Sequence, residues 1–312
     1  MRIPKYLSPT AINLWRKDEE DYYLRYLADV RSAREPQTQP MSIGSAFDAF
    51  AKSYLHEALF GKGADVRYGK EAIFEEQVQP HHRDWAWKNG QFVFDEYKNI
   101  GCLSDLMLEL NKAVGKPRFE FTIEDTISTT IGDIPLLGKP DIFFINDEAA
   151  RVILDWKVNG YCSASNTSPM KGYIKLRQRG KPEKMHRDCH LMVVNGIMIN
   201  VGMHLEDGKT DWADQLSVYS WLLGEPFGSA DMITGIDQIV GGPTKLRFAT
   251  HRLRISADYQ FELLAVIEQM WETINSDWIF RGMTQEDSAA RCDLLDSIGG
   301  NESDPLFQEI CN

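Results

Sequence analysis

The hydrophobic period of the chain changes at Lys116-Pro117, and that change limits the fold more than any other feature. Before it, apolar residues recur at helical spacing. Ser8 can cap a helix and Pro9 suits its first turn, where a missing N–H is no loss. Ile12, Trp15, Tyr22, Tyr23 and Tyr26 follow at near-helical intervals. Residues 29–41, with Pro36 and Pro40, read as a loop. Ser42 opens a second helix whose stripe is Ala46, Phe47, Phe50, Tyr54 and Leu55. Segments near 70–78, 81–98 and 102–113 also read as helices. After Pro117 the period is two. From Arg118 to Ile131, Phe119, Phe121 and Ile123 alternate with Glu120, Thr122 and Glu124, as in a half-buried strand. Gly132-Asp133 turns the chain, Lys139–Ile145 forms a second strand, and Arg151–Val158 a third. A meander flanked by helices predicts an α/β (α+β) fold.

Further along, Gly196–Val201 is strand-like and Asp211 caps a helix through Leu223. Strands near 233–240 and 245–255 follow, joined by Gly241-Gly242-Pro243. Ser256 caps a long helix to about Arg281. The reading is a helical region, 1–115, packed on a core, 116–281, with an insertion at 159–210. A polar tail, 282–312, completes what reads as one integrated domain.

Charge narrows the partners. The chain has 34 Lys and Arg against 46 Asp and Glu, a formal charge of −12. Such a chain does not coat nucleic acid or anionic membrane nonspecifically, and a polyanion needs a local basic patch or bound cations. No apolar run approaches the roughly 18 residues of a membrane span, so no membrane partner is expected. Met1-Arg2-Ile3-Pro4-Lys5 lacks the apolar stretch of a signal peptide. Cys102, Cys162, Cys189, Cys292 and Cys311 are scattered, with no CxxC pair, which suits a reducing cytoplasm and argues against a zinc ribbon.

Two carboxylates in the meander stand where burial should exclude them. Asp141 heads one apolar strand, and Asp155 follows Val152-Ile153-Leu154 in the next. Asp155 and Lys157, two residues apart on a strand, share a face. Ionised groups beside a buried run need partners or a metal. One account is a two-carboxylate Mg²⁺ or Mn²⁺ site. There an ion activates water and screens a phosphodiester, with Lys157 beside it. The other account is an ordinary Asp155–Lys157 ion pair.

Pro140-Asp141, thirteen residues, then Asp155-Trp156-Lys157 resembles the PD-(D/E)XK nuclease signature. Gln215-Leu216-Ser217-Val218-Tyr219 resembles the Q-x-x-x-Y motif of RecB-like and phage-type members. Ser8-Pro9-Thr10, then Gly44-Ser45-Ala46-Phe47-Asp48, resembles their N-terminal elements, with Asp48 where they carry histidine. The resemblance spans residues 6 to about 255. It implies a restriction-endonuclease-like core, a central mixed β-sheet flanked by helices, and divalent-metal phosphodiester hydrolysis. By position it implies Asp141 and Asp155 as metal ligands and Lys157 as the catalytic lysine. Gln215 and Tyr219 would lie near the DNA end or the attacking water. Glu120, with Glu124 as alternate, would be the upstream carboxylate, and Asp48 a ligand of a second metal. The iron–sulfur subfamily needs a cysteine in the first helix, where this chain has Trp15-Arg16-Lys17-Asp18, so no iron–sulfur cluster is expected.

An acidic protein of this kind needs a basic mouth for DNA. Lys171, Lys175, Arg177 and Arg179, with Tyr173 among them, lie in the insertion after the Asp155-Trp156-Lys157 strand. Such a loop can contact phosphates and stack on an unpaired base, or it can be simply a solvated charged loop. The leading expectation is a metal-dependent DNA exonuclease of recombination, repair or end processing, phage or mobile-element encoded. With no G-x-x-x-x-G-K-(S/T) loop in the chain, unwinding would need a helicase partner, and a single-strand annealing protein is a second expected partner. The alternatives are a structure-specific endonuclease of the same fold and a catalytically silent DNA-binding or DNA-mimic protein.

Overall fold

In a computed structural model that describes residues 2–30, 36–159, 190–194, 197–201, 204–242 and 245–276, the helical half precedes the sheet, as the change of period predicts. The helices are α1 (Pro9–Lys17), α2 (Glu19–Tyr22), α3 (Gln39–Phe60), α4 (Lys70–Gln77), α5 (Arg83–Asn99) and α6 (Cys102–Asn111). Ser8 Oγ accepts the Ala11 N–H at 3.3 Å, and Pro9 stands in the first turn of α1. The helical run expected through Tyr26 is interrupted. Asp18 is extended and its carboxylate accepts the Asp21 N–H at 2.9 Å, so α2 starts anew. A π turn, Tyr23–Leu27, completes this segment. α3 begins earlier than Ser42. Thr38 caps it through the Met41 N–H, and Pro40 is accommodated in the first turn.

The strand expected over Arg118–Ile131 is two strands. β1 (Arg118–Phe119) ends at Glu120, whose φ of +41° turns the chain out of line. β2 (Ile123–Thr129) and β3 (Gly132–Gly138) then form a separate hairpin. Period-two alternation is equally satisfied by one strand or by two with a turn between them, so the break leaves no trace in the pattern. β4 (Ile142–Ile145) and β5 (Arg151–Asn159) follow, then β6 (His190–Val194) and β7 (Ile197–Val201). α7 (Leu205–Gly208) and α8 (Thr210–Leu222) lead to β8 (Met232–Gly242), β9 (Lys245–Leu253) and α9 (Ala257–Asn275). Asp211 lies inside the first turn of α8 and is not its cap; its carboxylate pairs with Lys209. Ser256 caps α9 through the Tyr259 N–H. Extended Ser276 ends α9, and the rest of the stretch expected to Arg281 lies outside the described residues.

The fold is mixed α/β. Among the described residues seven strands form one sheet in the order β1-β4-β5-β8-β9-β7-β6. β4 and β5 are antiparallel, while β5 and β8 are parallel, with α8 preceding β8 in the chain. One face, carrying Ile142, Phe144, Val152, Leu154 and Trp156, packs on Phe47, Phe50, Phe94 and Tyr97 of α3 and α5. The other, carrying Ile153, Ile236 and Leu253, packs on Trp212, Leu216 and Tyr219 of α8. A third cluster joins α1, α8, α9 and the hairpin through Ile12, Ile134, Val218 and Ile267. No helix among the described residues is long and apolar enough to cross a membrane.

Candidate active site

The register of β4 against β5 brings the two expected carboxylates together. Ile142 pairs with Leu154, so the next residue outward, Asp141, falls opposite Asp155. Asp141 Oδ2 accepts the backbone N–H of Trp156 at 3.0 Å. Asp155 and Lys157 share the face of β5 that Ile153 presents to α8. Their side chains form an ion pair.

α8 closes the site from that face. Gln215 and Tyr219 are one helical turn apart, and neighbours at i and i+4 share a face. Gln215 Nε2 donates to Asp155 Oδ1 at 3.2 Å, and its Oε1 accepts from Lys157 Nζ at 2.9 Å. The same amide nitrogen donates to the Tyr219 hydroxyl at 2.9 Å, which donates to the Lys139 carbonyl at 3.2 Å. Gly138 permits this approach. A Cβ there would lie 2.8 Å from Tyr219 Cδ1 and 2.6 Å from Leu222 Cδ1.

The other wall comes from α3 and the turn after β1. Asp48 and Lys52 are a turn apart on α3, and Lys52 Nζ donates to Asp48 Oδ2 at 2.6 Å. It also donates to Glu120 Oε2 at 3.1 Å and Asp141 Oδ1 at 3.0 Å. Lys52 is only 1% exposed. Glu120 reaches it because of its left-handed backbone, which costs a residue with a Cβ about 1–2 kcal/mol. Lys139 and the Gln77 amide hold the same carboxylate. Glu124, the alternate, instead pairs with Lys5 on the exposed hairpin.

The electrostatics follow from burial and crowding. Burial raises Asp48, with the Asp141 and Glu120 charges adding and Lys52 opposing, to about 7. Burial and the Asp141 charge likewise raise Asp155 to about 7 against the pull of Lys157. Asp141 moves the other way. Burial opposes its ionisation, but Lys52, Lys157 and the Trp156 N–H outweigh it. Glu120 is lowered for the same kind of reason, through Lys52 and Lys139. Burial disfavours the Lys157 ammonium, but Asp155 and Asp141 more than compensate and raise it.

Thus Asp48, Glu120, Asp141, Asp155, Lys157, Gln215 and Tyr219 converge from five parts of the chain. Sequence reasoning missed Lys52, Lys139 and Gln77. The signal for Lys52 was present, since a lysine interrupts the apolar run of α3 between Ala51 and Leu55. Lys171, Tyr173, Lys175, Arg177 and Arg179 lie outside the described residues, as do Cys162, Cys189, Cys292 and Cys311. Cys102 is buried in α6.

Among the described residues no three His, Cys, Asp or Glu side chains stand ready around one metal position. Lys52 accounts for part of this, because its ammonium lies among three of the four carboxylates. The donor set still suits a hard divalent ion. Asp141 and Asp155 are adjacent oxygen donors, and Asp155 Oδ2 is buried with no hydrogen bond beyond its ion pair. Magnesium is commonly held by one or two carboxylates, with water and substrate phosphate completing its shell.

No family model matches the chain, and no curated protein matches it. A solved structure described as "Crystal structure of SSO0001" aligns with 79% of this chain and 83% of that chain at 13% identity, with a TM-score of 0.28. A likeness that slight bears on neither fold nor activity.

Proposed function

We propose that the chain is a Mg²⁺- or Mn²⁺-dependent deoxyribonuclease with a restriction-endonuclease-like core, acting as an exonuclease in recombination, repair or end processing and encoded by a phage or mobile element. The observation that carries this reading is the convergence of Asp141, Asp155 and Lys157, with Gln215 bridging the last two. A structural ion pair does not need a second carboxylate against it, nor a glutamine from another element bound to both partners.

In this reading Asp141 and Asp155 hold the divalent ion. When bound, such an ion lowers the pKa of its water and screens the phosphodiester charge. The residues of the chain supply orientation and charge. The Trp156 N–H fixes Asp141, and Gln215 fixes the Asp155 carboxylate and the Lys157 ammonium together. Lys157 is placed to stabilise negative charge growing on a phosphate oxygen, an effect strengthened by exclusion of water. Water adds to phosphorus and one P–O ester bond breaks, leaving a phosphomonoester and a hydroxyl. DNA, held by Lys171, Tyr173, Lys175, Arg177 and Arg179, is the partner, and a helicase or single-strand annealing protein would supply it.

A catalytically silent DNA-binding or DNA-mimic protein is the second reading. The observation favouring it is Lys52, which neutralises carboxylates that an enzyme could use for metal. Metal-dependent release of label from DNA, lost in Asp155→Asn, supports the enzyme; DNA binding without cleavage in either metal supports the silent protein.

A further inference from the structure

Lys52 is the least expected group in the molecule. It sits on α3 among Ala49, Ala51 and Leu55, all fully buried. An ammonium taken that far out of water is tolerated only when its charge and its protons are all answered. Both are answered here. Its three N–H donors meet three carboxylates, from α3, from the turn after β1 and from the entry to β4. Their N–O distances, 2.6 to 3.1 Å, describe a small cation seated among three oxygens. Glu120 takes a left-handed backbone to complete the set.

Asp141 is therefore shared. Its Oδ1 belongs to the Lys52 position, and on its other side stands Asp155. The net charge of the cluster limits how many ions it takes. The four carboxylates Asp48, Glu120, Asp141 and Asp155 face the two ammonium groups of Lys52 and Lys157. With all four ionised, as a bound divalent ion favours, two negative charges remain. One divalent ion cancels them; a second would leave an excess of two positive charges in a largely dehydrated space. Lys139, half exposed, is screened by solvent and alters the count less.

We propose that Lys52 is a built-in cation permanently filling the Asp48–Glu120–Asp141 position, so that the chain takes one divalent ion, at Asp141 and Asp155. This rests on the nuclease reading above and deepens it. Asp48 and Glu120 then serve as the seat of Lys52 and ligate no metal. Lys52 is a positioning residue: it holds Asp141 from one side while the Trp156 N–H holds it from the other.

The test is the stoichiometry of Mn²⁺, measured on the full chain by equilibrium dialysis, with the Asp155→Asn variant marking the ion bound at the site. Wild type should bind one ion per chain that Asp155→Asn lacks. Lys52→Met should bind one ion more than wild type, and its metal-free melting temperature should fall below that of wild type and recover with Mn²⁺. Two site ions in wild type, or one in folded Lys52→Met, would overturn the proposal and leave the nuclease reading standing. No site ion in wild type at millimolar Mn²⁺ would overturn the nuclease reading and this proposal with it. Should Lys52→Met fail to fold in either condition, the wild-type count alone decides.

Discussion

The ammonium of Lys52 lies 3.0 Å from Oδ1 of Asp141, a residue 89 positions away, and that contact joins the helical half of the chain to its sheet at the candidate site. It also separates two roles within one carboxylate cluster. Asp48 and Glu120 face a resident cation, while Asp155 faces Lys157 and α8.

Replacing Asp155 with Asn, or Lys157 with Ala, should lower metal-dependent DNA cleavage by at least about 10²–10³-fold, the loss typical of removing one group that stabilises transition-state charge. Circular dichroism and melting should show that both variants remain folded. Turnover within threefold of wild type would remove the residue from the site.

The pH dependence of metal-free stability should carry the signature of Asp155. Its folded pKa, about 7, lies above the ordinary 3.8. A carboxyl raised in this way favours the folded state fully below pH 3.8 and loses that contribution as pH rises through 7. In EDTA, the urea midpoint of wild type should therefore carry a falling component from about pH 4 to 7 that Asp155→Asn lacks. Parallel pH profiles for the two proteins would show that Asp155 ionises normally.

Gly138→Ala should destabilise the protein by about 1–3 kcal/mol, the usual result of overpacking. The added methyl meets Tyr219 and Leu222. Because Tyr219 also accepts from Gln215, catalysis should fall with stability even at temperatures where the variant is folded. Unchanged urea midpoint and turnover would mean that α8 is free to move away.

Much of this arrangement is legible in the sequence. The period switch at Pro117 separates helices from sheet because a 3.6 repeat and a 2.0 repeat are incompatible on one segment. Asp141, Asp155 and Lys157 stood out because charge interrupts apolar strands. The break at Glu120 was not legible, since alternation persists through it and only the positive φ reveals the turn. Nor was the seat of Lys52. Its partners lie on elements whose register the sequence does not state, and a lysine on a helix reads as solvated until its face is known. The start of α3 was misplaced by reading Pro40 as a breaker, although proline is tolerated in a first turn.

The basic segment should act on binding and leave chemistry alone. Changing Lys175, Arg177 and Arg179 to Ala should lower the log–log salt slope of DNA binding by about 2–3 units, near 0.7–0.9 per phosphate contact. Turnover at saturating DNA should change little, because cations that bind ground and transition states alike leave it untouched. An unchanged slope would make the segment a solvated loop.

The measurement that bears most directly on the whole account is digestion of end-labelled linear DNA beside closed circular DNA by the purified chain, in Mg²⁺, in Mn²⁺ and in EDTA. Linear DNA should be degraded from its ends with either ion, closed circles should survive, and EDTA should stop the reaction. Nicking or linearisation of the circles would keep the metal-dependent nuclease and replace the exonuclease by an endonuclease. Intact DNA of both kinds in both metals, single-stranded substrate included, would contradict the account at its centre.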